Sequence, residues 1–475
     1  MRDWRQAWDE PSPWEAADPR SRYQGWIWDR QLGGDLAGLR EAFPYLRELG
    51  VNALYLLPVF QAESPHKYNA TNYLHIDERY GVGAPYAANE AVEDLLDPST
   101  WRFDANDRLF LEVLRDAKRA GFRVILDGVF NHVGTAHPAF RDVREKGAAS
   151  RYADWFEVES WEPFRYRGWF GHGSLPQFAK DEEHGLASAS LRQHLFDVTR
   201  RWMDPDGDGD PSDGIDGWRL DVPNEVPIAF WQEWRRLVKS ISPDAYITGE
   251  IWTPAQSWLQ GDAFDAVMNY EFATPVVSWV FDRRLRIRAR EFDHRMREVR
   301  ERHPSEATYV MQNLLDSHDT DRAVSMARNP DRVYNKLNRV QDTPEYVDAK
   351  PGPEEYRRLR LAALLQMTYV GAPMIWYGTE VGMWGANDPH NRRPMLWPEL
   401  EPYGDAPDNA IMPDLLAWYR SAVALRNAHP ALRIGSFRTV LADDDLDVWA
   451  FVRESEGEEV LVVASMSERA QRVPL

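Results

Sequence analysis

Gly217-Trp218-Arg219-Leu220-Asp221 reads as a short buried strand that ends on a carboxylate, and three further stretches repeat the plan. They are Val124-Ile125-Leu126-Asp127 running on to Asn131-His132, Tyr246-Ile247-Thr248-Gly249-Glu250, and Asn313-Leu314-Leu315-Asp316-Ser317-His318-Asp319. A parallel strand covered on both faces is written as a near-continuous apolar run, because neither face meets water. In an α/β (β/α)8 TIM barrel the reactive groups stand at the C-terminal ends of such strands, so four of them can converge on one pocket.

Working outward, helix and strand patterns alternate for most of the chain, as repeated β/α units require. Ala37 to Gly50 reads as an amphipathic helix, Val51 to Phe60 as a strand, Leu109 to Gly121 as a helix and Phe122 to Phe130 as the strand carrying Asp127. Leu191 to Met203 and Pro227 to Ser242 read as helices, and Gly214 to Asp221, Ala245 to Ile251, Ala266 to Tyr270 and Ala307 to Leu315 as strands. Arg357 to Val370 is a helix, Ala372 to Gly378 a strand and Pro413 to Asn427 the closing helix. Between His132 and Leu186 the alternation gives way to aromatic, glycine-rich sequence, and so long an irregular stretch is usually functional. Past Ile434 the period becomes two, which predicts a small β domain. The expected organisation is a barrel over 1–132 and 187–433, an insertion over 133–186, and a C-terminal β domain over 434–475 that stops after a few strands. The first barrel strand is weak or missing: either the glycine-interrupted Tyr23 to Trp28 supplies it, or the chain begins inside a longer sequence.

Composition narrows the function. A net charge of −20 disfavours nucleic acid, whose phosphates demand a basic surface, and suits a neutral ligand. No run of apolar residues is long enough for a membrane-spanning helix, and the N-terminus shows no signal-peptide pattern, so a cytoplasmic location is expected. Cysteine is absent, which excludes thiol catalysis and disulfides. The 21 tryptophans fit both stacking platforms for sugar rings and an aromatic core.

Asp221, Glu250 and Asp319 are three acids at strand ends. Glycoside hydrolysis needs one carboxyl to protonate the leaving oxygen and another to attack or to activate water. Arg219 lies two residues before Asp221, on the same strand face, where a fixed cation favours an ionised nucleophile. His132 and His318 can donate to sugar hydroxyls.

Together these stretches resemble the conserved regions of the α-amylase family, glycoside hydrolase family 13, and within it the neopullulanase, cyclomaltodextrinase and maltogenic amylase branch. Gly217 to Glu225, Glu250-Ile251-Trp252 and Leu314 to Thr320 carry the likeness. The resemblance implies a TIM barrel with domain B after the third strand and a C-terminal β-sandwich. It implies retaining chemistry, with Asp221 as nucleophile, Glu250 as general acid/base and Asp319 as transition-state stabiliser. It also implies a sugar site formed by Tyr68, His132, Arg219, Trp252, His318, Asp388 and Arg392, with Asp127 and Asn131 mainly architectural. The substrate expected is an α-glucan: maltodextrin, cyclodextrin or pullulan. An α-glucosyltransferase or isomerase of the same family, or a non-catalytic carbohydrate-binding relative, are the alternatives.

The chemistry needs no cofactor. In Asp204-Pro205-Asp206-Gly207-Asp208-Gly209-Asp210, however, Asp204, Asp206, Asp208 and Asp210 could offer hard oxygens to a structural Ca²⁺, or form a solvated acidic turn. The oligomeric state is left open.

Overall fold

The computed structural model describes residues 34–398 and 410–474; Tyr23 to Trp28, read above as a candidate first strand, lies outside them. Five parallel strands form one sheet in chain order: β1 (Ala53–Leu56), β2 (Arg123–Gly128), β3 (Gly217–Leu220), β4 (Tyr246–Gly249) and β5 (Ala266–Val267). β6 (Gln312–Leu314) and β7 (Ala372–Met374) pair in parallel. A parallel bridge between Met268 and Gln312 carries the order across from β5 to β6. Seven parallel strands therefore succeed one another in space as in sequence.

Register is what makes this sheet a site. Arg219 on β3 stands opposite Asp127 on β2 and Thr248 on β4. Leu220 pairs with Gly249, so Asp221 and Glu250 leave adjacent strands at the same level. Gly217 permits this approach, because a Cβ there would lie 2.2 Å from the Tyr246 carbonyl oxygen. The adjoining side chains then fill the interior: Trp155, Trp202, Trp218, Trp231, Trp234, Trp279 and Trp449 are all fully buried. A third of the tryptophans thus serve the core outright.

The strands read over Val51 to Phe60 and Ala266 to Tyr270 shorten to β1 and β5, with Phe60 in a separate antiparallel strand and Tyr270 opening a helix, and two further expectations change in kind. The helix read over Ala37 to Gly50 is two helices, Leu36–Glu41 and Phe43–Leu49, the second with Pro44 in its first turn. That is where a residue without an N–H fits and continuous helix does not. Of the strand read over Ala307 to Leu315, residues Ser305–Val310 are helical and only Gln312–Leu314 is strand. Thr308, Tyr309 and Val310 suggest β-structure by composition, but Pro304 at the N-cap and the packing of Ala307 into the core favour the helix.

Residues 133–186 leave the parallel sheet after β2. They hold the helix Pro138–Lys146 and small antiparallel pairs, Val158–Trp161 with Phe164–Tyr166 and Lys180–Asp181 with Gly185–Leu186. At the other end β8 (Ser436–Asp443), β9 (Val448–Ser455) and β10 (Glu458–Ser465) form an antiparallel sheet. A small sheet needs an apolar face or a packed helix to be stable, and this one leans on its neighbours. Arg453, buried within it, donates to the carbonyls of Thr368, Leu432, Gly435 and Ser436, and Trp449 packs on Phe292 and Phe437. Among the described residues no helix is long and apolar enough to cross a membrane.

A buried charge cluster ties the entry of the helix Ala105–Arg119 to the hairpin strand Ala70–Ile76. His75 lies 2.8 Å from both Asp107 and Glu93, while Asp104 and Asp107 form the capping box of that helix. Burial opposes the imidazolium, but the two carboxylates overcome it and raise the His75 pKa to about 9. A folded-state pKa above the unfolded value of about 6.5 contributes stability in full below that value and loses it as pH rises through about 9. His75→Gln is therefore expected to lower stability by roughly 2–3 kcal/mol at pH 6, with the gap to the parent narrowing above pH 9. Urea titrations at the two pH values check this, and an equal gap at both would contradict it.

Candidate active site

At the C-terminal ends of β2, β3, β4 and β6 lies a cavity of about 720 Å³. Nine of the ten residues expected to form the site line it: Tyr68, His132, Asp221, Glu250, Trp252, His318, Asp319, Asp388 and Arg392. The tenth, Arg219, is fully buried beneath them.

Arg219 joins three carboxylates. Its Nη1 donates to both oxygens of Asp127 at 3.0 and 2.9 Å and to Asp221 Oδ1 at 3.3 Å. Its Nη2 lies 2.8 Å from Glu250 Oε2. Asp127 is held in turn by the hydroxyls of Tyr55, at 2.7 Å, and Tyr68, at 3.0 Å. Tyr55 went unnoticed in the sequence, because a tyrosine in β1 looks like any other core residue of that strand.

The acids differ in electrostatics. Burial raises the Asp221 carboxyl well above its ordinary range and the charge of Glu250 adds to the rise, against the pull of Arg219. Glu250 is raised too, by burial first and by the charge of Asp319, again against Arg219. Asp319 goes the other way: burial opposes its ionisation, but His318, with Nε2 3.0 Å from Oδ2, and the Arg392 guanidinium hold it below the usual carboxylate range. Contrary to the expectation that Arg219 keeps Asp221 ionised, burial and the charge of Glu250 outweigh the cation. Asp221 and Glu250 share a proton beside an Asp319 that stays charged, and the form in which Asp221 can attack is the one with that proton on Glu250.

Trp252, expected along the wall, does more than line it. Its indole stacks on Tyr270 with centroids 3.5 Å apart and donates to Glu250 Oε1 at 3.1 Å. Val222, directly after Asp221, adopts φ 36° and ψ 49°, a left-handed conformation that is strained for a β-branched residue. Strain of this kind clusters at active sites, and here it turns the Val222 N–H toward Glu250 Oε2 at 3.3 Å.

His132 takes a different part from the one read in sequence. The Asn131 amide nitrogen can only donate and a carbonyl oxygen can only accept. His132 Nδ1 thus accepts from Asn131 Nδ2 at 3.1 Å and Nε2–H donates to the Tyr68 carbonyl at 3.0 Å. Both ring nitrogens are engaged within the protein, and burial lowers the His132 pKa to about 4. His66, passed over in the sequence, also lines the cavity. Its Nδ1 accepts the Tyr68 N–H at 3.1 Å, which leaves Nε2 as the protonated nitrogen. Burial and then the charges of Arg392 and Lys67 lower its pKa to about 3. Asp388 Oδ1 meets Arg392 Nε at 2.9 Å.

The mouth is apolar on two sides. Phe170 (77% exposed, φ 48°) rises from the 133–186 segment, and Leu337 (66% exposed, φ 53°) from the loop after β6. Sequence singled out neither as a site residue, because an exposed apolar side chain has no periodic signature.

The acidic loop lies apart from the cavity. Asp204, Asp206 and Asp213 bring carboxylate oxygens within 4.8 Å of one another, while Asp204, Asp206, Asp208 and Asp210 each accept a backbone N–H within the loop. The convergent set is thus Asp204, Asp206 and Asp213, and not the four alternating aspartates. A one-in-two spacing serves a turn, while the 3-10 helix Pro211–Asp213 folds Asp213 back.

Parallel-strand ends that carry three acids into a cleft walled by aromatic rings and cations define a carboxylate-dependent glycoside hydrolase. The chain matches the family described as alpha amylase, catalytic domain, over residues 13–96 and 102–435. It is 38% identical to neopullulanase 2 of Thermoactinomyces vulgaris over 460 residues, 97% of this chain and 66% of that one. It is 34% identical to a cyclomaltodextrinase of a Bacillus species, covering 95% and 68% of the two chains. Among solved structures, the cyclic alpha-maltosyl-(1→6)-maltose hydrolase of Arthrobacter globiformis superposes with a TM-score of 0.73 at 32% identity, over 93% of this chain and 84% of that one. The chain belongs to the α-amylase family, glycoside hydrolase family 13, and spans about two thirds of the length of the first two relatives.

Arg219→Met would leave Asp127, Asp221 and Glu250 buried together without their cation. Breaking such a network costs about 3–5 kcal/mol. The melting temperature should fall steeply at pH 8 and less at pH 5, where raised carboxyls take up protons. A pH-independent fall would show that the guanidinium acts by packing alone.

Proposed function

We propose that this protein is a retaining α-glucan hydrolase that cleaves α-1,4 bonds in maltodextrins, cyclodextrins or pullulan, with transfer to sugar acceptors as a side reaction. The observation that carries the proposal is Arg219 bridging Asp221 and Glu250, at 3.3 and 2.8 Å, at the floor of a cleft that also holds Asp319. Asp221 attacks the anomeric carbon while Glu250 protonates the departing glycosidic oxygen. The oxocarbenium charge of the transition state lies near Asp319, which His318 and Arg392 keep ionised. In the second half-reaction Glu250 takes a proton from water, or from an acceptor hydroxyl, which then attacks the glycosyl-Asp221 ester. The names of the relatives, neopullulanase and cyclomaltodextrinase, support the substrate class.

Around this centre Tyr68 and His318 form the wall of the reacting sugar, Asp388 and Arg392 grip the next sugar on the non-reducing side, and Trp252 faces the acceptor. In our reading the seven described strands belong to a closed eight-stranded barrel, with 133–186 as domain B and 434–475 as part of a C-terminal β domain. The name of an intracellular maltogenic amylase of Bacillus subtilis supports a cytoplasmic location.

The test is Glu250→Gln assayed on maltotetraose. General acid/base catalysis is worth roughly 10²–10⁴ in rate, so kcat should fall at least about a hundredfold, while ¹H NMR of the parent's first product shows the α-anomer. Activity within tenfold of the parent, or a β-anomer, would reject the assignment.

A structural Ca²⁺ held by Asp204, Asp206 and Asp213 is the second part of the proposal. Asp204 Oδ1 and Asp213 Oδ1 are buried atoms without a hydrogen-bond partner, and partial burial followed by the charges of Asp206 and Asp204 raises the Asp213 carboxyl. Both features suit hard oxygen ligands for a cation. Chelator should lower the melting temperature by several degrees and added Ca²⁺ should restore it; an unchanged value would remove the ion from the account.

A further inference from the structure

We propose that Asn391 is a positioning residue: its side-chain amide fixes the turn that carries His318 and Asp319 and locks it to the loop that carries Asp388 and Arg392. The inference rests on the catalytic reading above and adds a residue to it.

Asn391 is fully buried. Its Nδ2 donates to three carbonyl oxygens of one turn, Ser317 at 3.1 Å, His318 at 2.7 Å and Thr320 at 2.8 Å. An amide nitrogen has two hydrogens, so three acceptors around it form a shared clamp. The orientation of the amide follows from this. Reversed, it would place an oxygen against three oxygens, and the structure leaves Oδ1 buried without a partner rather than do so. The donors of the turn are met separately: the Ser317 N–H goes to Thr320 Oγ1 and the Asp319 N–H to Ser317 Oγ. Asn391 supplies the other half of its hydrogen bonding, from outside the turn.

The place of Asn391 in sequence gives the clamp a function. It precedes Arg392, whose guanidinium meets Asp388 at 2.9 Å and reaches Asp319 Oδ1 at 3.5 Å. Its own carbonyl accepts from Trp376 Nε1 at 3.2 Å, which anchors the loop just beyond β7. Two cavity-lining turns from separate strands, one holding the transition-state carboxylate and one the neighbouring sugar site, are therefore joined through a single side chain. Displacement of a reacting group by about 1 Å can cost on the order of 10² in rate, so loosening this joint should act on turnover more than on binding.

The experiment compares Asn391→Ala, Asn391→Asp and Asn391→Ser with the parent on maltotetraose, with melting temperatures measured alongside. Asn391→Ala is expected to lower kcat about a hundredfold, with KM within threefold. Asn391→Asp keeps the shape and offers a donor only when protonated, so its activity should be low at neutral pH and recover toward acid pH relative to the parent. Asn391→Ser, with one hydroxyl donor, should fall between. A folded Ala or Asp variant with kcat within threefold of the parent overturns the proposal, as does a loss confined to KM. If none of the three folds, Asn391 is a folding determinant and the assignment is withdrawn. A parent inactive on all α-glucans would sink the catalytic reading; an active parent with an indifferent Asn391→Ala sinks this inference alone.

Discussion

Burying a guanidinium is costly unless carboxylates surround it, and burying three carboxylates together is costly unless a cation stands among them. Arg219 meets both conditions with Asp127, Asp221 and Glu250. The arrangement depends on strand register, because Asp127 and Arg219 are cross-strand partners and the Leu220–Gly249 pairing brings the next two residues level. A slip of one residue would turn every side chain to the opposite face. The sheet and the charge network thus specify each other: apolar packing on both sides of the strands excludes water, and the network makes only one register affordable.

The catalytic floor is built on paired strands, and its walls are of another kind. Asp319, Asp388 and Arg392 come from turns after β6 and β7, Tyr68 from the hairpin before the strand Ala70–Ile76, and Phe170 from the 133–186 segment. Such walls are joined by side-chain hydrogen bonds, not by ladders. Positive φ at Val222, Phe170 and Leu337 is concentrated around this cavity, where strain is tolerated because the surrounding structure over-determines it. The open, partly apolar mouth suits a ligand with hydrophobic ring faces and hydroxyl edges.

The C-terminal sheet is joined to the rest by a similar use of buried cations. Arg453 of the sheet donates to the Thr368 carbonyl at the end of the helix Pro353–Thr368, and Arg426 of the helix Pro413–Ala428 donates to Met367, Tyr369 and Gly371 beside it. Burial lowers both pKa values to about 10, and each remains a cation near neutrality. Met367 and Thr368 are among the orphan carbonyls that a helix C-terminus leaves, where positive charge is favoured by the helix dipole.

The sequence by itself determined the strand ends and the residues on them. Buried parallel strands must be apolar, so Asp127, Asp221, Glu250 and Asp319 stood out against the runs that carry them. It also determined the period-two pattern of β8 to β10. Tertiary structure alone decided what those residues do to one another. That Arg219 bridges three acids, that Tyr55 braces Asp127, and that His132 gives its N–H to the Tyr68 carbonyl all depend on distances between segments far apart in the chain. The helix at Ser305–Val310 and the convergence of Asp213 with Asp204 and Asp206 were decided in the same way, by packing and by a chain reversal that local composition does not encode. Spacing along a strand fixes which face a side chain takes; only the arrangement of strands and loops in three dimensions fixes its neighbours, and a carboxylate acquires its protonation and its chemistry from those neighbours.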